Sequence, residues 1–357
     1  MPNVYWTNRL ATPDDTPAVL PRLVRIVHGD AYQEINETYW NWRYLNDTPF
    51  RAKIIMAEHE GQPIGIQPLA VFDWQRGEAR MTGAMYTGVL THPDHRRRGV
   101  FKSLVESSNE YAKSVGAMFS MTLPNDASLP GFLKTNEWAY PGLIPMHVKV
   151  IDGNAMLRPR LGPIAPLVGW MPGMLCRARG SGIDTGVDCR LATEVPDDLE
   201  AAFDAFARDC DTLMIRRTAS YWHWRYLTRP GSTYRTMVAT KNGETLGAVT
   251  TAVGKRAGLD VGMIMDLVAK GGVPVMRALL RAAEGELKAR GVGLVTCQSS
   301  TPLMRQALKQ EGYRNAGPTI TRKSFHFVYR PTGNDGWPRP PVVLSDWHLT
   351  FGDSDNA

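Results

Sequence analysis

The stretch THPDHRRRGVF, residues 91–101, decides how the first part of this 357-residue chain is interpreted. The uncharged run 85–90 comes before it, and a helical pattern over 102–115 follows it. A strand, a short basic loop and a helix together form an anion site, because the first N–H groups of a helix have no partner within that helix. Three consecutive arginines strengthen the positive field there. The stretch therefore predicts a site for a phosphate-bearing ligand, with a basic surface turn as the alternative.

This segment resembles motif A of the GNAT superfamily of N-acetyltransferases, which bind acetyl-CoA. The motif reads Arg/Gln-x-x-Gly-x-Gly/Ala, and its three defined positions are Arg96, Gly99 and Phe101 here. Phe101 stands where the family usually has a small residue. The resemblance implies that acetyl-CoA, or another acyl-CoA, is the co-substrate, without a metal. It also implies a set of cofactor contacts at the strand end, in the loop and at the helix start: Val89, Leu90, Thr91, Arg96, Arg97, Arg98, Gly99, Val100, Phe101 and Lys102.

A second segment resembles motif B of the same family, where a strand separates from its neighbour and pantetheine lies in the gap. Residues 118–123 predict a strand, and residues 129–135 predict a helix that Asn125 and Ser128 can cap. The family often has Asn, a small residue and Tyr at the positions of Asn125, Ser128 and Phe132. The resemblance therefore implies that these three residues contact the cofactor, and that the Tyr that usually protonates the leaving thiolate is absent.

A seven-residue aromatic motif occurs twice in the chain. YWNWRYL at 39–45 recurs as YWHWRYL at 221–227, and the same offset carries GQPIG at 61–65 onto GETLG at 243–247. Matches in register along one diagonal indicate a tandem duplication. Because the motif is present in both copies, packing of its aromatic side chains explains it better than catalysis does.

The alternation of predicted strands and helices in each copy predicts an α/β (α+β mixed sheet) protein, and the resemblance implies two tandem GNAT-like acyl-CoA N-acyltransferase folds. We expect an acetyl-CoA-binding GNAT domain at 1–150, a linker at 151–190, a degenerate second GNAT-like domain at 191–330 and a docked C-terminal tail at 331–357. The predicted strands are 53–58, 63–72 and 81–90 in the first copy, and 236–240, 245–253, 260–268 and 294–298 in the second.

The second copy differs from the first at the predicted cofactor loop. Its counterpart of the arginine loop, AKGGVP at 269–274, has one lysine, and Pro274 lacks an N–H donor near the helix start. We therefore expect the first copy to bind the cofactor and the second not to bind it. The alternative is that Gly271 and Gly272 still hold a phosphate.

Acyl transfer to an amine requires a polarised carbonyl, a base and an aligned nucleophile. The resemblance implies direct transfer in a ternary complex, with a backbone N–H near Val89 or Leu90 polarising the thioester. His92 is one candidate base, since an imidazole exchanges protons near neutral pH, although His-Pro-Asp is also a common turn start. Tyr86 is a comparable candidate for a substrate or water contact. Other candidate bases are Asp94, Glu58 and Asp73.

The C-terminal segment 340–355 is rich in aromatic and apolar residues, so we expect it to be docked. Asp353 and Asp355 are candidates for binding a cationic amine acceptor. The alternatives are a disordered acidic end or a structural clasp between the copies.

Composition limits the remaining classes. The net charge of +6 is compatible with binding an anionic cofactor. The sequence contains no helix rich in Lys and Arg, so it does not indicate a nucleic-acid partner. The four cysteines are scattered, which predicts no metal site and no disulfide framework. The N-terminus has no apolar signal segment, and the longest apolar run is rich in proline, so we expect a cytoplasmic protein without stable membrane insertion.

The sequence predicts an acyl-CoA-dependent N-acetyltransferase that acts on a small amine, such as an amino sugar or an amine metabolite. One alternative is a transferase resembling the FemABX peptidyltransferases, which duplicate this fold and use aminoacyl-tRNA, but the arginine loop disfavours it. The other is a non-catalytic acyl-CoA-binding protein. The sequence gives no indication of the oligomeric state.

Overall fold

The computed structural model describes residues 5–15, 19–29, 37–45, 48, 50–134, 137–161, 165, 186–256, 258–317, 324–334, 336 and 340–354. The chain divides into two compact units. Unit 1 comprises Met1–Trp74, Arg80–Gly142 and His326–Pro340. Unit 2 comprises Gln75–Ala79, Leu143–Phe325 and Pro341–Ala357. The expected boundaries at 150 and 330 therefore do not coincide with these units, which are not continuous segments of chain.

The first half of the chain alternates strands and helices. Its strands are β1 (Thr7–Leu10), β2 (Arg51–His59), β3 (Gln62–Arg76), β4 (Ala79–Tyr86), β5 (Leu90–Thr91), β6 (Phe119–Thr122), β7 (Ala139–Leu143) and β8 (Met146–Val150). Its helices are α1 (Val19–His28), α2 (Glu37–Trp40), α3 (Val100–Ser114), α4 (Leu129–Leu133) and α5 (Gly153–Leu161). A π-helical turn, Asn41–Leu45, continues α2.

The second half repeats this order. Its strands are β9 (Asp188–Ala192), β10 (Met214–Ile215), β11 (Arg235–Lys241), β12 (Glu244–Arg256), β13 (Leu259–Ala269), β14 (Leu294–Gln298), β15 (Arg314–Ala316) and β16 (His326–Pro331). Its helices are α6 (Leu199–Cys210), α7 (Ala219–Trp222), α8 (Gly272–Ala289) and α9 (Pro302–Gln310). A π-helical turn, His223–Leu227, continues α7, as in the first half.

The two sheets have the same strand order. In unit 1 it is β1-β2-β3-β4-β6-β16-β7, with the short β5 also paired to β3, and in unit 2 it is β9-β11-β12-β13-β14-β8-β15. β4 pairs with β6 in parallel and β13 pairs with β14 in parallel, whereas β2–β3 and β12–β13 are antiparallel. The predicted mixed-sheet α/β fold in two tandem copies is confirmed.

The copies exchange one strand. β8 follows the first copy along the chain, yet it pairs with β14 of unit 2, with Val150 opposite Leu294. β16 follows the second copy, yet it pairs with β6 of unit 1, with Val328 opposite Thr122. Each sheet is therefore completed by a strand that continues from the other copy.

The repeated aromatic motif packs in the same way in both units. The Trp40 and Tyr44 ring centroids lie 4.8 Å apart, and those of Trp222 and Tyr226 lie 4.7 Å apart. Both tryptophans are buried. The prediction that the motif serves core packing is confirmed. In unit 1 the last tyrosine of the motif, Tyr44, also forms a hydrogen bond through its hydroxyl group with Thr87, which directly follows β4.

The predicted strand 81–90 is broken in the structure. β4 ends at Tyr86 and β5 begins at Leu90, and Gly88 between them has a φ of 49°, in the left-handed region. The side-chain amide of Gln67 donates to the Thr87 carbonyl at 3.0 Å, and the Thr87 N–H donates to the Pro68 carbonyl at 3.0 Å. Residues 87–89 are therefore held out of a continuous strand by tertiary contacts that the local pattern does not encode.

Candidate active site

The predicted anion loop ends in a helix N-terminus that no side chain caps. Gly99 is the N-cap of α3, with a φ of 96°, and no side-chain hydrogen bond caps it in the part of the chain that the structure describes. The first bond of the helix runs from the Ser103 N–H to the Gly99 carbonyl. The N–H groups of Val100, Phe101 and Lys102 are therefore available to an anion.

Tyr5, which belongs to none of the sequence motifs, contacts the arginine cluster. Arg96, Arg97 and Arg98 are all exposed. The Arg98 guanidinium donates to the Tyr5 hydroxyl at 3.3 Å and lies 5.4 Å from the centre of its ring. Tyr5 in turn bonds to His95 Nδ1 at 3.1 Å. Desolvation and, next, the neighbouring His92 lower the pKa of His95, so this imidazole is a weak base beside the loop.

A gap opens between β4 and β6 beyond their last paired residues, Tyr86 and Thr122. Leu90 pairs with Ile66 of β3, whereas the Val89 N–H has no backbone hydrogen bond among the described residues. Of the two residues whose N–H is expected to polarise the thioester, Val89 is therefore the one whose N–H lacks a partner among the described residues. Its place just past the end of β4 is where the resemblance implied that the thioester lies.

The expected pantetheine contacts follow directly after β6. The Asn125 side-chain oxygen accepts the N–H groups of Ala127, at 3.1 Å, and Ser128, at 2.9 Å. The Ser128 hydroxyl accepts the Asn125 N–H, at 3.1 Å, and makes no cap bond to α4, so the expectation that Ser128 caps this helix is wrong. The two side chains instead fix the turn before the helix.

Phe132 and Phe101 form one aromatic contact between α3 and α4. Their ring centroids are 5.1 Å apart, and Phe132 also lies 4.9 Å from Trp138. A Cβ atom at position 131 would lie 2.8 Å from the Phe101 ring, so Gly131 makes room for this bulky residue. Phe132 is buried and has no hydroxyl group, so it cannot donate a proton to a thiolate.

The two expected catalytic side chains have structural partners. Tyr86 is buried, its hydroxyl bonds to Ser120 at 2.8 Å, and burial raises the pKa of this phenol. His92 accepts the Asp94 N–H at 3.3 Å and so starts the turn before the arginines. Glu58 forms an ion pair with Arg9 at 2.8 Å. These contacts favour packing and turn roles over proton transfer for the three residues.

The corresponding gap in unit 2 contains the C-terminal segment of the chain itself. β13 and β14 are paired up to Ile264 and Cys297. Beyond that point the Ser300 N–H donates to the Leu349 carbonyl at 3.2 Å. Gly352 lies so close to Tyr226 and to the Met265 carbonyl that a side chain would not fit there. The C-terminal segment therefore forms a hydrogen bond on the β14 side of the gap and packs against the β13 side.

A buried charge network holds this segment in place. Arg217 pairs with Asp266 and with Asp353, each at 2.8 Å, and all three side chains are fully buried. Burial alone would raise the pKa of Asp266, but the charge of Arg217 holds it below its usual range. Arg225 of the repeated motif donates to the Gly352 and Ser354 carbonyls at 3.1 and 3.0 Å.

Asp353 is thus an anchor of the tail within unit 2, in place of the acceptor contact expected from the sequence. Its second oxygen accepts the Thr350 N–H at 2.8 Å, and only 2% of the residue is exposed. Asp355, the other expected acceptor contact, lies outside the described residues.

The loop of unit 2 offers less to an anion than the loop of unit 1. Its lysine, Lys270, forms an ion pair with Glu244. α8 begins at Gly272, so Pro274 falls in its first turn and removes one N–H donor. These differences agree in direction with the expected loss of the cofactor site in the second copy.

Among the described residues, no three His, Cys, Asp or Glu side chains are grouped so that they could hold a metal ion. None of the helices described there has the length and apolar character needed to cross a membrane.

Residues 9–140 match the family model described as "Acetyltransferase (GNAT) domain". Three solved structures share the fold over most of the chain. A GCN5-related N-acetyltransferase from Anabaena variabilis ATCC 29413 is 11% identical, with 92% of this chain and 73% of that chain covered and a TM-score of 0.64. A tandem GNAT protein from the clavulanic acid biosynthesis pathway is 14% identical, with 93% and 100% covered and a TM-score of 0.56.

The third structure is Saccharomyces cerevisiae N-myristoyltransferase with bound myristoyl-CoA, which is 8% identical, with 92% and 84% covered and a TM-score of 0.58. A comparison with curated protein sequences finds no significant match. The chain therefore has the GNAT fold in tandem, and the match to the family model lies in its first copy.

The buried network gives a stability prediction. Replacing Arg217 by Met leaves Asp266 and Asp353 as unpaired buried carboxylates, so we expect the free energy of unfolding to fall by about 3–5 kcal/mol. The matched control is Arg216→Met, since Arg216 makes a partly exposed ion pair with Glu200, and we expect a loss below about 1 kcal/mol. Denaturant unfolding of both variants measures the difference. Equal losses would show that the network does not hold the tail.

Proposed function

We propose that this protein is an acyl-CoA-dependent N-acyltransferase whose first unit binds acetyl-CoA and transfers the acetyl group to a small amine, such as an amino sugar or an amine metabolite. One observation carries the proposal. In unit 1 the pairing of β4 with β6 ends at Tyr86 and Thr122, and three exposed arginines precede α3, whose N-terminus no side chain caps among the described residues. Unit 2 has the same strands, but its gap is filled by the chain's own tail.

In this proposal the pyrophosphate accepts hydrogen bonds from the first N–H groups of α3, at Val100, Phe101 and Lys102. Arg96 and Arg98 add charge-assisted bonds at the rim of the loop. The thioester carbonyl oxygen accepts the free Val89 N–H, which stabilises the negative charge that develops on that oxygen as the amine attacks. Asn125 and Ser128 border the pantetheine from the β6 side.

The transfer is direct, without a covalent enzyme intermediate. The amine nitrogen attacks the thioester carbon, and the CoA thiolate leaves with the electron pair of the C–S bond. A thiolate is a tolerable leaving group, so the absence of a hydroxyl on Phe132 is compatible with catalysis. Holding both reactants in line between β4 and β6 contributes to the rate.

The arginine loop can be tested by binding. We expect Arg96→Ala combined with Arg98→Ala to weaken acetyl-CoA binding by at least roughly tenfold, since charge-assisted hydrogen bonds contribute about 1.5–3 kcal/mol each. Isothermal titration calorimetry measures the affinity. Arg190→Ala combined with Arg256→Ala removes the same charge from exposed strand positions of unit 2 and should leave the affinity unchanged. An unaltered affinity in the first variant would remove the loop from the cofactor site.

The stoichiometry tests the asymmetry of the copies. We expect one acetyl-CoA per chain, because Trp347 to Asp353 occupy the second gap and Lys270 is already paired with Glu244. The same calorimetric titration gives the number of sites. Two equivalent sites would contradict the assignment of cofactor binding to unit 1 alone.

The acceptor class is tested by turnover. Acetyl-CoA and a panel of amino sugars, polyamines and amino acids are incubated with the protein, and thiol release is followed together with the mass of each amine. We expect at least one small amine to gain the mass of an acetyl group. A panel in which no amine is acetylated, although acetyl-CoA binds, would favour the non-catalytic alternative.

A further inference from the structure

Three polar side chains meet at one edge of unit 1. The Tyr140 hydroxyl lies 2.8 Å from His326 Nδ1, and His326 Nε2 lies 2.8 Å from an Asp126 carboxylate oxygen. A carboxylate can only accept, so Nε2 carries the proton and Nδ1 accepts the Tyr140 O–H. His326 is 9% exposed, whereas Tyr140 is 42% exposed. The order is an exposed phenol, a buried imidazole and a carboxylate.

The register places His326 past the paired part of β6. It stands on β16, next to β6 on the side away from β4, and Tyr140 stands on the following strand, β7. Val328 lies opposite Thr122, and Thr122 is also in the last pair between β6 and β4. Because β16 runs antiparallel to β6, His326 lies about two residues, or roughly 7 Å, beyond that last pair, at the end where β4 gives way to Val89. Asp126 directly follows Asn125, one of the proposed pantetheine contacts.

The strand exchange creates this arrangement. His326 is separated by 186 residues from Tyr140 and by 200 residues from Asp126 along the chain. It reaches unit 1 because β16 pairs with β6. The three residues belong to no common sequence motif, so the sequence alone does not predict that they meet.

The other charged side chain on β16 is that of Arg330, which lies at the far end of the strand and already has ion-pair partners. Arg330 forms ion pairs with Glu106 at 3.1 Å and with Glu137 at 3.2 Å. Burial and the nearby Asp126 charge raise the pKa of Tyr140, which keeps the phenol protonated and able to donate to His326. Asp126 is thus the carboxylate that faces the imidazole, and Tyr140 is the titratable group on its other side.

We propose that Tyr140, His326 and Asp126 form the proton relay of unit 1, in which Tyr140 contacts the acceptor amine and His326 and Asp126 are positioning residues. This inference rests on the proposed function. The ammonium form of the acceptor gives one proton to the Tyr140 oxygen while the phenol proton moves to His326 Nδ1, and Asp126 stabilises the imidazolium that results. The free amine then attacks the thioester carbon, and the thiolate leaves with the electron pair of the C–S bond and takes the second proton from the nitrogen. His326 releases its proton through Tyr140 to solvent.

The logic is that of a nucleophile-activating triad, in which a third group orients the base. It supplies an exposed hydroxyl in unit 1, whereas Phe132 has none. Neither buried Tyr86 nor turn-forming His92 offers an exposed group of this kind.

The test compares two amine nucleophiles that differ in their protonation at neutral pH. Glucosamine is largely protonated at neutral pH and needs a base, whereas hydroxylamine is largely unprotonated. We expect His326→Gln and Tyr140→Phe to lower thiol release from acetyl-CoA about 100-fold with glucosamine, in the range of general base catalysis, and less than about tenfold with hydroxylamine. Acetyl-CoA affinity by calorimetry should stay unchanged.

The controls separate proton transfer from folding. His147→Gln changes an equally buried histidine, 7% exposed, on a strand of the other sheet, and Tyr111→Phe removes a phenol hydroxyl from α3. Neither should alter the ratio of the two rates. Equal losses with both nucleophiles, no loss, or a wild-type protein that binds acetyl-CoA but turns over neither nucleophile would overturn the relay. Failure of the wild type to bind acetyl-CoA would overturn the proposed function itself.

Discussion

The separation of two parallel strands at the centre of each sheet is the constraint on which the rest of the structure depends. Where such strands part, their facing backbone groups lose their ladder partners, and buried groups of this kind require others. In unit 2 the chain supplies the partner, since Ser300 bonds to Leu349 and the tail lies along β13. In unit 1 the Val89 N–H is left without a backbone partner among the described residues. The same sheet plan is therefore completed by the chain's own tail in unit 2, whereas in unit 1 no described backbone group bonds to the Val89 N–H.

The tail in the gap of unit 2 depends on a buried charge network. Asp353 is out of water and therefore needs a buried counter-charge. Arg217 provides it and is itself balanced by Asp266, so that a buried arginine is shared by two carboxylates. The lysine of the loop in the same unit, Lys270, is paired with Glu244.

The strand exchange gives unit 1 something that a single copy would not have. β16 arrives from the far end of the chain and sets His326 between Tyr140 and Asp126. The proposed relay combines two residues of the first copy, Asp126 and Tyr140, with His326, which lies 200 residues beyond Asp126 along the chain.

The sequence by itself determined the local elements and the duplication. Strand β14 matches its predicted bounds, the Arg96 to Phe101 loop leads into a helix as expected, and the aromatic motif packs alike in both units. These follow from hydrophobic period and capping, which are read within a few residues. Only the tertiary structure decided the break at residues 87–89, the burial of Asp353 and the exchange of β8 and β16. Each depends on a partner far along the chain, such as Gln67 for Thr87 or Arg217 for Asp353, and pairing between distant residues leaves no periodic signal in the sequence.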